Sequence, residues 1–528
     1  MPTALENMKT QLLKIIKSGG VLGAIAAFIV LIFGGWSGSV IGWLLGAYVG
    51  FAHNKGDNLH TTRNPQQGAI DGAQAGLVLG IWLFVASIFE GLILKPIAGR
   101  PVANFTDVLG FGICALVVAT VAAALMGILQ GLHPSRRQRA TQIALGFVLI
   151  LFPFIDQLAQ TRWISTTIEI QIFVMLALGL NITVGFAGLL DLGYAAFFAI
   201  GAYTTGLLSS PQLNIHWNFW LVIFIAAGIA GLAGIVLGAP TLRLRGDYLA
   251  IVTLGFGEIV PVIFRNLTSV RIDEPISKLI AGLIGRPEIA LCLFGCESPV
   301  NLTGGEPGIN PIDRPFLPII GTFTSSNYYP WYYLILLLVV LAYFFIGRLR
   351  YSRLGRAWTA IREDELAARA MGINLVKTKL LAFAMGATFS GFAGAFYAAY
   401  ISAIFPSVFD FSVSVIILCM VILGGLGNMT GVILGGIIIM GADRLVLPQL
   451  ARLLEGIRNT SILPLIANPQ WQDFIRISLD PTQMRMFLFG LTLVIMMLVR
   501  PEGLLPDRQH QAELHNEELA GEDVLAKS

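Results

Sequence analysis

Charge is what this chain has least of. Asp, Glu, Lys and Arg make up 12% of its 528 residues, against about a quarter in an ordinary soluble domain. With 55% hydrophobic residues, that shortage excludes a water-soluble globular protein. The net charge of +3 is too small for a nucleic-acid surface. No GxxxxGK[ST] stretch occurs, so the chain lacks the usual phosphate cradle and any ATP would be hydrolysed by a partner. Cysteine is scarce too: Cys114, Cys292, Cys296 and Cys419. Two sit in apolar runs as small apolar residues. Cys292 and Cys296 share a long loop and are open to pairing or to staying free, depending on the compartment it faces. That loop has too few ligands for a metal site, and no metal is expected. A cleavable leader is also missing: Lys9, Lys14 and Lys17 precede an apolar run with no clear cleavage site, which reads as a retained anchor.

What the chain has is glycine, at 58 residues, and long apolar runs. Runs of roughly 17–25 residues are long enough to cross a bilayer as helices. They are continuous rather than alternating, which excludes a barrel. The fold class is therefore an all-α polytopic membrane protein. About fourteen candidate transmembrane or re-entrant segments are expected, at 19–34, 36–52, 70–91, 106–130, 142–159, 168–186, 193–209, 218–239, 248–264, 330–347, 380–401, 411–427, 429–447 and 484–499. Basic residues near the ends of spans set orientation. Placing the N-terminus inside keeps "HPSRRQR" (133–139), "LRLRGD" (242–247) and the 348–379 loop inside. The polar tail after 505 is then cytoplasmic too, and disordered.

One stretch breaks the apolar rule. "RAWTAIREDELAARAMGIN" (356–374) carries six charges: Arg356, Arg362, Glu363, Asp364, Glu365 and Arg369. As one helix it places Arg362, Glu365 and Arg369 in a ladder on one side, with Trp358, Ile361, Ala368 and Met371 on a neighbouring stripe. Gly372 offers a stop, and Asn374 follows. A solvated connector would look like this; so would a helix on which a partner docks, its small residues allowing close approach.

Here the sequence resembles a family. "ELAARAMGI" is similar to the EAA loop of ATP-binding-cassette importer permeases: Ala367, Ala368 and Gly372 keep the spacing, and Glu365 stands one residue early because Leu366 intervenes. Longer stretches follow in one order: "LGLNITVGFAGLLDLGYAAFFAIGAYTTGLL" (178–208), "LRLRGDYLAIVTLGFGEIVPVIFRN" (242–266), "LTGGEPGI" (302–309), "SRLGRAWTAIREDELAARAMGINLVKTKLLAF" (352–383) and "ILGGLGNMTGVILGG" (422–436). Together they resemble the M-type permease of branched-chain and neutral amino acid importers, over roughly 140–505, where the early Glu is usual. The resemblance implies a prokaryotic inner-membrane subunit that pairs with a related H-type permease. It also implies two cytoplasmic ATPases carrying ATP and Mg, and an extracytoplasmic binding protein. The chain itself would hold no cofactor. Arg362, Glu363, Asp364, Glu365, Ala367, Ala368, Arg369 and Gly372 would form the helix that couples to the ATPase.

Three polar residues are candidates for the translocation path. Glu258, within an apolar span, either faces water and a substrate ammonium or makes an interhelical hydrogen bond; Pro261 beyond it is expected to break that helix. Asn181 and Asp191 bracket "ITVGFAGLL", which is either a broken helix end that receives charged groups or a hairpin with Asp191 capping the next helix at its solvent side. "LTGGEPGINP" reads as a flexible outer loop that could meet the binding protein, and "GGLGN" (424–428) as a tight inner turn.

Residues 1–130 lie outside the resemblance. Gly34, Gly38, Gly42, Gly46 and Gly50 recur every four residues, as do Gly68, Gly72, Gly76 and Gly80. Such grooves pack on other helices, within the chain or on a partner. The expected organisation is therefore 1–130 accessory helices, 131–505 permease core and 506–528 tail. A urea or short-amide importer permease is the alternative within the class. An ion-coupled secondary transporter would want more mid-membrane carboxylates than occur here. A non-transporting scaffold leaves the ordered blocks unexplained.

Overall fold

In a computed structural model the chain is helical. The residues it describes are 65–95, 104–130, 163–241, 247–270, 299–318 and 321–457, with shorter pieces between and beyond. Two compact units form, one of residues 1–164 with 442–485, the other of 165–441 with 486–528.

The first unit is built on α1 (Pro65–Phe89) and α2 (Phe105–Gln130). They meet along small residues. A side chain at Gly76 would run into Ala119, Thr120 and Ala123 of α2, and Gly80 stands equally close to Leu116. The Gly72, Gly76 and Gly80 groove is thus filled from within the unit, the packing expected where helices lack a hydrophobic drive to associate. The large apolar side chains point the other way: Ile81, Val85, Val117, Val121 and Leu125 are exposed. Ala75, Leu79, Ala115 and Ala119 are fully buried. Exposed large apolar groups around a contact made by small residues suit a lipid surrounding. The first glycine series, Gly34 to Gly50, lies outside the described residues.

The second unit begins with α3 (Ile164–Leu180), which continues as a π-helical stretch, Asn181–Phe186. It goes on through α4 (Tyr194–Leu208), α5 (Phe219–Thr241), α6 (Asp247–Asn266) and α7 (Tyr329–Arg350). Two short helices follow, α8 (Arg353–Glu363) and α9 (Glu365–Ala370). Then come α10 (Leu375–Ile401), α11 (Phe411–Gly424) and α12 (Met429–Gly441). The alanine- and glycine-rich α10 is the axis of this unit. A side chain on Gly201 of α4 would strike Gly391 of α10, and one on Gly234 of α5 would strike Phe383 and Ala387. Three short two-stranded antiparallel pairs lie between helices among the described residues, the first pairing Ser209–Ser210 with Ile215–His216.

Nine helices among the described residues are long and apolar enough to cross a membrane, and Tyr194–Leu208 is a shorter apolar helix. The chain is a multi-pass membrane protein. The expected count of fourteen is not reached among these residues: 19–34, 36–52 and 484–499 lie mostly outside them, and 142–159 is described only in part. The 506–528 tail and Cys296 lie outside as well, and with Cys296 the question of its pairing. Two local expectations are corrected. α6 runs unbroken through Pro261, since a helix that loses one hydrogen bond can continue when its neighbours hold it. "LTGGEPGINP" is held rather than flexible: Ile309 and Ile404 exchange backbone hydrogen bonds of 3.0 and 3.1 Å, and Leu302 N–H donates to the Leu267 carbonyl at 3.0 Å.

Candidate functional site: the 353–374 helix pair and the helix ends it meets

The polar stretch is two helices. Ser352 caps the first, its Oγ accepting from Gly355 N–H at 3.3 Å. Asp364 ends it. Its backbone is extended (φ −153°, ψ 112°), and its carboxylate accepts from Leu366 and Ala367 N–H at 2.7 and 3.1 Å. An aspartate gains more as an N-cap than inside a helix, because its oxygens compete for backbone N–H groups. The single ladder of Arg362, Glu365 and Arg369 is therefore corrected: the break at Asp364 turns the second helix away from the first. The stop at Gly372 is as the sequence reads. Gly372 has φ +85°, its N–H donates to the Arg369 carbonyl at 3.0 Å, and Ile373 N–H donates to the Ala368 carbonyl at 3.1 Å. That is the pair of bonds that glycine after a helix end allows. Asn374 then caps α10 through Lys377 N–H at 3.1 Å.

The break sorts the side chains. Trp358, Ile361 and Ala368 are buried, and Trp358 Nε1–H donates to the Thr378 carbonyl at 2.8 Å. Met371, expected beside them, is 84% exposed, and Leu366 is 69% exposed. Glu363, Asp364, Ala367, Arg369 and Gly372 share that exposed side. Sequence reading missed Leu366 as a feature, because on an unbroken helix it has no distinction from its neighbours.

The inward side grips the rest of the unit. Glu365 pairs with Lys379 of α10, whose side chain is almost wholly buried. Lys379 was not singled out in the sequence, although a lysine entering an apolar run needs a partner. Arg362 Nη1–H donates to the Gly185 carbonyl at 2.6 Å, in the π-helical stretch. Its stem lies so close to Gly188 (φ +67°) that a Cβ there would come within 2.9 Å of Arg362 Cγ. Arg350 stands 5.7 Å from the ring of Phe186. Asn181 is fully buried, and its Oδ1 accepts from Gly427 N–H at 3.0 Å. The "GGLGN" turn joins α11 to α12, with Asn428 accepting from Thr430 and Gly431 N–H at 3.1 and 3.3 Å. One set of contacts thus joins α8, the end of α3 and the 425–428 turn. Breaking the ion pair gives a direct check. Glu365→Lys is expected to lower thermal stability by about 1–3 kcal/mol, the cost of an unsatisfied buried group. Adding Lys379→Glu should restore most of it in a thermal unfolding assay; no recovery would mean the pair is not made.

The path candidates separate. Asp191 is not at a solvent side: it is 1% exposed. Its Oδ1 accepts from Gly193 N–H at 3.0 Å, and Oδ2 has no partner among the described residues. Burial pushes its carboxyl up to about 7, against the pull of the Gly193 amide. It borders a cavity of about 410 Å³ walled by Phe197, Leu237, Val252, Phe256 and Phe383. Glu258 makes no interhelical hydrogen bond among the described residues; it is exposed on α6, beside exposed Ile251, Ile259, Val262 and Ile263. The hydrogen bonds of Asn181 and Asp191, with Gly427 and Gly193, do not include it.

Comparison with known proteins agrees with this architecture. The family model for the permease component of branched-chain amino acid transport systems matches residues 162–497. The high-affinity branched-chain amino acid transport system permease protein LivM of Escherichia coli K12 is 35% identical over 411 residues, covering 74% of this chain and 80% of the relative. LivM of Salmonella typhimurium LT2 is 34% identical over the same length. The LivH permease protein of E. coli K12 is 23% identical over 286 residues, covering 52% of this chain and 81% of the relative. No solved structure matches.

Proposed function

The chain belongs to the branched-chain amino acid transport permease family, and on that premise we propose that it is the membrane-spanning subunit of an ATP-driven importer for branched-chain or other neutral amino acids. The observation that carries the reading is the breadth of the likeness to LivM, which covers 74% of this chain, together with the family match over residues 162–497. Its partners are a related H-type permease, two cytoplasmic ATPases that bind ATP and Mg, and an extracytoplasmic binding protein. The 353–374 helices are the ATPase contact. Their exposed Leu366 and Met371 enter the partner, and Glu363, Asp364 and Arg369 set the register. Movement of the pair reaches the membrane through Arg362, which holds the end of α3 by the Gly185 carbonyl.

The exposed face of α6 supports the permease pairing. A charged side chain near the middle of an apolar helix costs roughly 2.5–3.5 kcal/mol on insertion scales. Glu258 stands there without a partner among the described residues. We assign this face to the H-type permease and the water-filled path between the two chains. Asn181 and Asp191 sit near the ATPase end of that path.

Uptake tests the reading. Cells lacking this chain are expected to lose most labelled leucine uptake, with smaller losses for alanine and proline, and to recover on its return. Loss of urea uptake alone would move the cargo to urea or short amides.

A further inference from the structure

At the end of the second unit remote from the 353–374 helices lies a mixed-charge cluster that the coupling account does not use. Arg265, in the last turn of α6, has Nε 3.3 Å from Glu306 Oε2 and Nη2 3.9 Å from Asp410 Oδ1. Neither contact completes a hydrogen bond. Arg265 Nε is buried yet lacks a hydrogen-bond acceptor among the described residues, and 3.9 Å is beyond hydrogen-bond reach. Asp410 precedes α11 as its N-cap residue but its side chain caps nothing. It faces the arginine instead. Beneath them is Tyr203, 1% exposed, stacked on Phe264 at 4.0 Å and 6.1 Å from Phe409. Its hydroxyl lies within electrostatic reach of Arg265 and Glu306 and has no hydrogen-bond partner among the described residues.

Two buried donors without acceptors in one cluster call for a group that satisfies them, because natural proteins leave few such atoms unpaired. The charges define that group. A guanidinium presents a fork of N–H donors that matches a carboxylate. The two carboxylates are exposed on their outer side and accept from an ammonium. The backbone around them is fixed in advance: Glu306 rides on a loop held through Ile309–Ile404 pairing, and Gly304 N–H donates to Asn301 Oδ1 at 2.8 Å. A pre-formed site loses less to ordering on binding.

We propose that Arg265, Glu306 and Asp410 form a receiving site for the zwitterionic head group of an α-amino acid, Arg265 taking the carboxylate and Glu306 with Asp410 the ammonium. The proposal rests on the importer reading and gives it a first station on the membrane subunit itself.

The test uses the assembled complex in lipid nanodiscs without its binding protein, read by saturation-transfer NMR with L-leucine, 4-methylpentanoate and isoamylamine. Leucine should bind. 4-Methylpentanoate lacks the ammonium and isoamylamine the carboxylate, so each should bind at least about tenfold more weakly, the loss of about 1.4 kcal/mol. Glu306→Gln with Asp410→Asn should weaken leucine at least tenfold and leave 4-methylpentanoate unchanged. Arg265→Gln should weaken leucine and 4-methylpentanoate together, and Arg265→Lys should recover part of both. Thermal midpoints of the variants should stay within a few degrees of the parent. Unchanged leucine binding in the variants, equal binding of all three compounds, or no leucine binding would each overturn the site. So would loss of binding-protein association with leucine binding intact, which would make the cluster a protein contact. Leucine uptake by cells carrying the parent chain, measured alongside, shows whether the importer reading stands when the site fails.

Discussion

Leu366→Asp combined with Met371→Asp is expected to strip the ATPase from the complex and to lower leucine uptake by at least about tenfold, with the chain still present in the membrane. Both side chains stand in the open, at 69% and 84% exposure, on a helix pair that buries Trp358 and Ile361 against the unit. Burying each of them in a partner contributes about 1.5–3 kcal/mol. Together that is roughly two to four powers of ten in affinity. The substitutions also bring carboxylates into an interface that already holds Glu363 and Asp364. Neither residue contributes to the packing of the unit, so folding should be spared. Co-purification of the ATPase with the tagged chain measures this; undiminished recovery would remove the docking role from 353–374.

Arg362→Ala is expected to leave the ATPase docked but to raise the ATP hydrolysed per leucine transported at least about tenfold. The bond from Arg362 to the Gly185 carbonyl is charge-assisted, a class that contributes roughly 1.5–3 kcal/mol. It is the direct polar contact from α8 to the π-helical end of α3. A widened helical turn is easier to rearrange than a regular one, which suits an element that has to move. Gly188→Ala should give the same phenotype by another route, because a Cβ there would press on the Arg362 stem and φ +67° disfavours it. Reconstituted complex, assayed for ATPase and uptake in one preparation, gives the ratio. An unchanged ratio in both variants would mean that movement reaches the membrane elsewhere.

The fold was legible where the signal was local or long. Apolar runs located the helices, Gly372 and Asn374 marked a stop and a start, and "GGLGN" marked a turn, because each depends on a few adjacent residues. The buried stripe of Trp358, Ile361 and Ala368 followed from spacing. The break at Asp364 did not. A run of Arg, Glu, Asp and Glu reads as helical, and only the competition of Asp364 for two backbone N–H groups ends it. Arg362 turning toward Gly185, and Glu365 toward Lys379, depend on how α8 and α9 settle on α3 and α10. Residue spacing within the loop carries none of that. Asp191 shows the same limit. A cap on the next helix is the expectation, but Asp191 accepts from Gly193, the N-cap residue of α4, which has no side-chain cap. Asp191 lies buried beside α6, whose Thr253 hydroxyl accepts from the neighbouring Leu192 N–H at 3.1 Å. The Arg265 cluster joins residues from three distant stretches, and no single motif contains it.

The central claim is that this chain moves an amino acid at the expense of ATP bound by a partner. Proteoliposomes holding the permease pair and ATPase, supplied with binding protein and labelled leucine, test it most directly. Leucine should accumulate in the lumen only when MgATP is present on the ATPase side, and dissipating proton and sodium gradients should leave the rate unchanged. Accumulation that follows an ion gradient and ignores ATP would contradict the account and make the chain a secondary transporter.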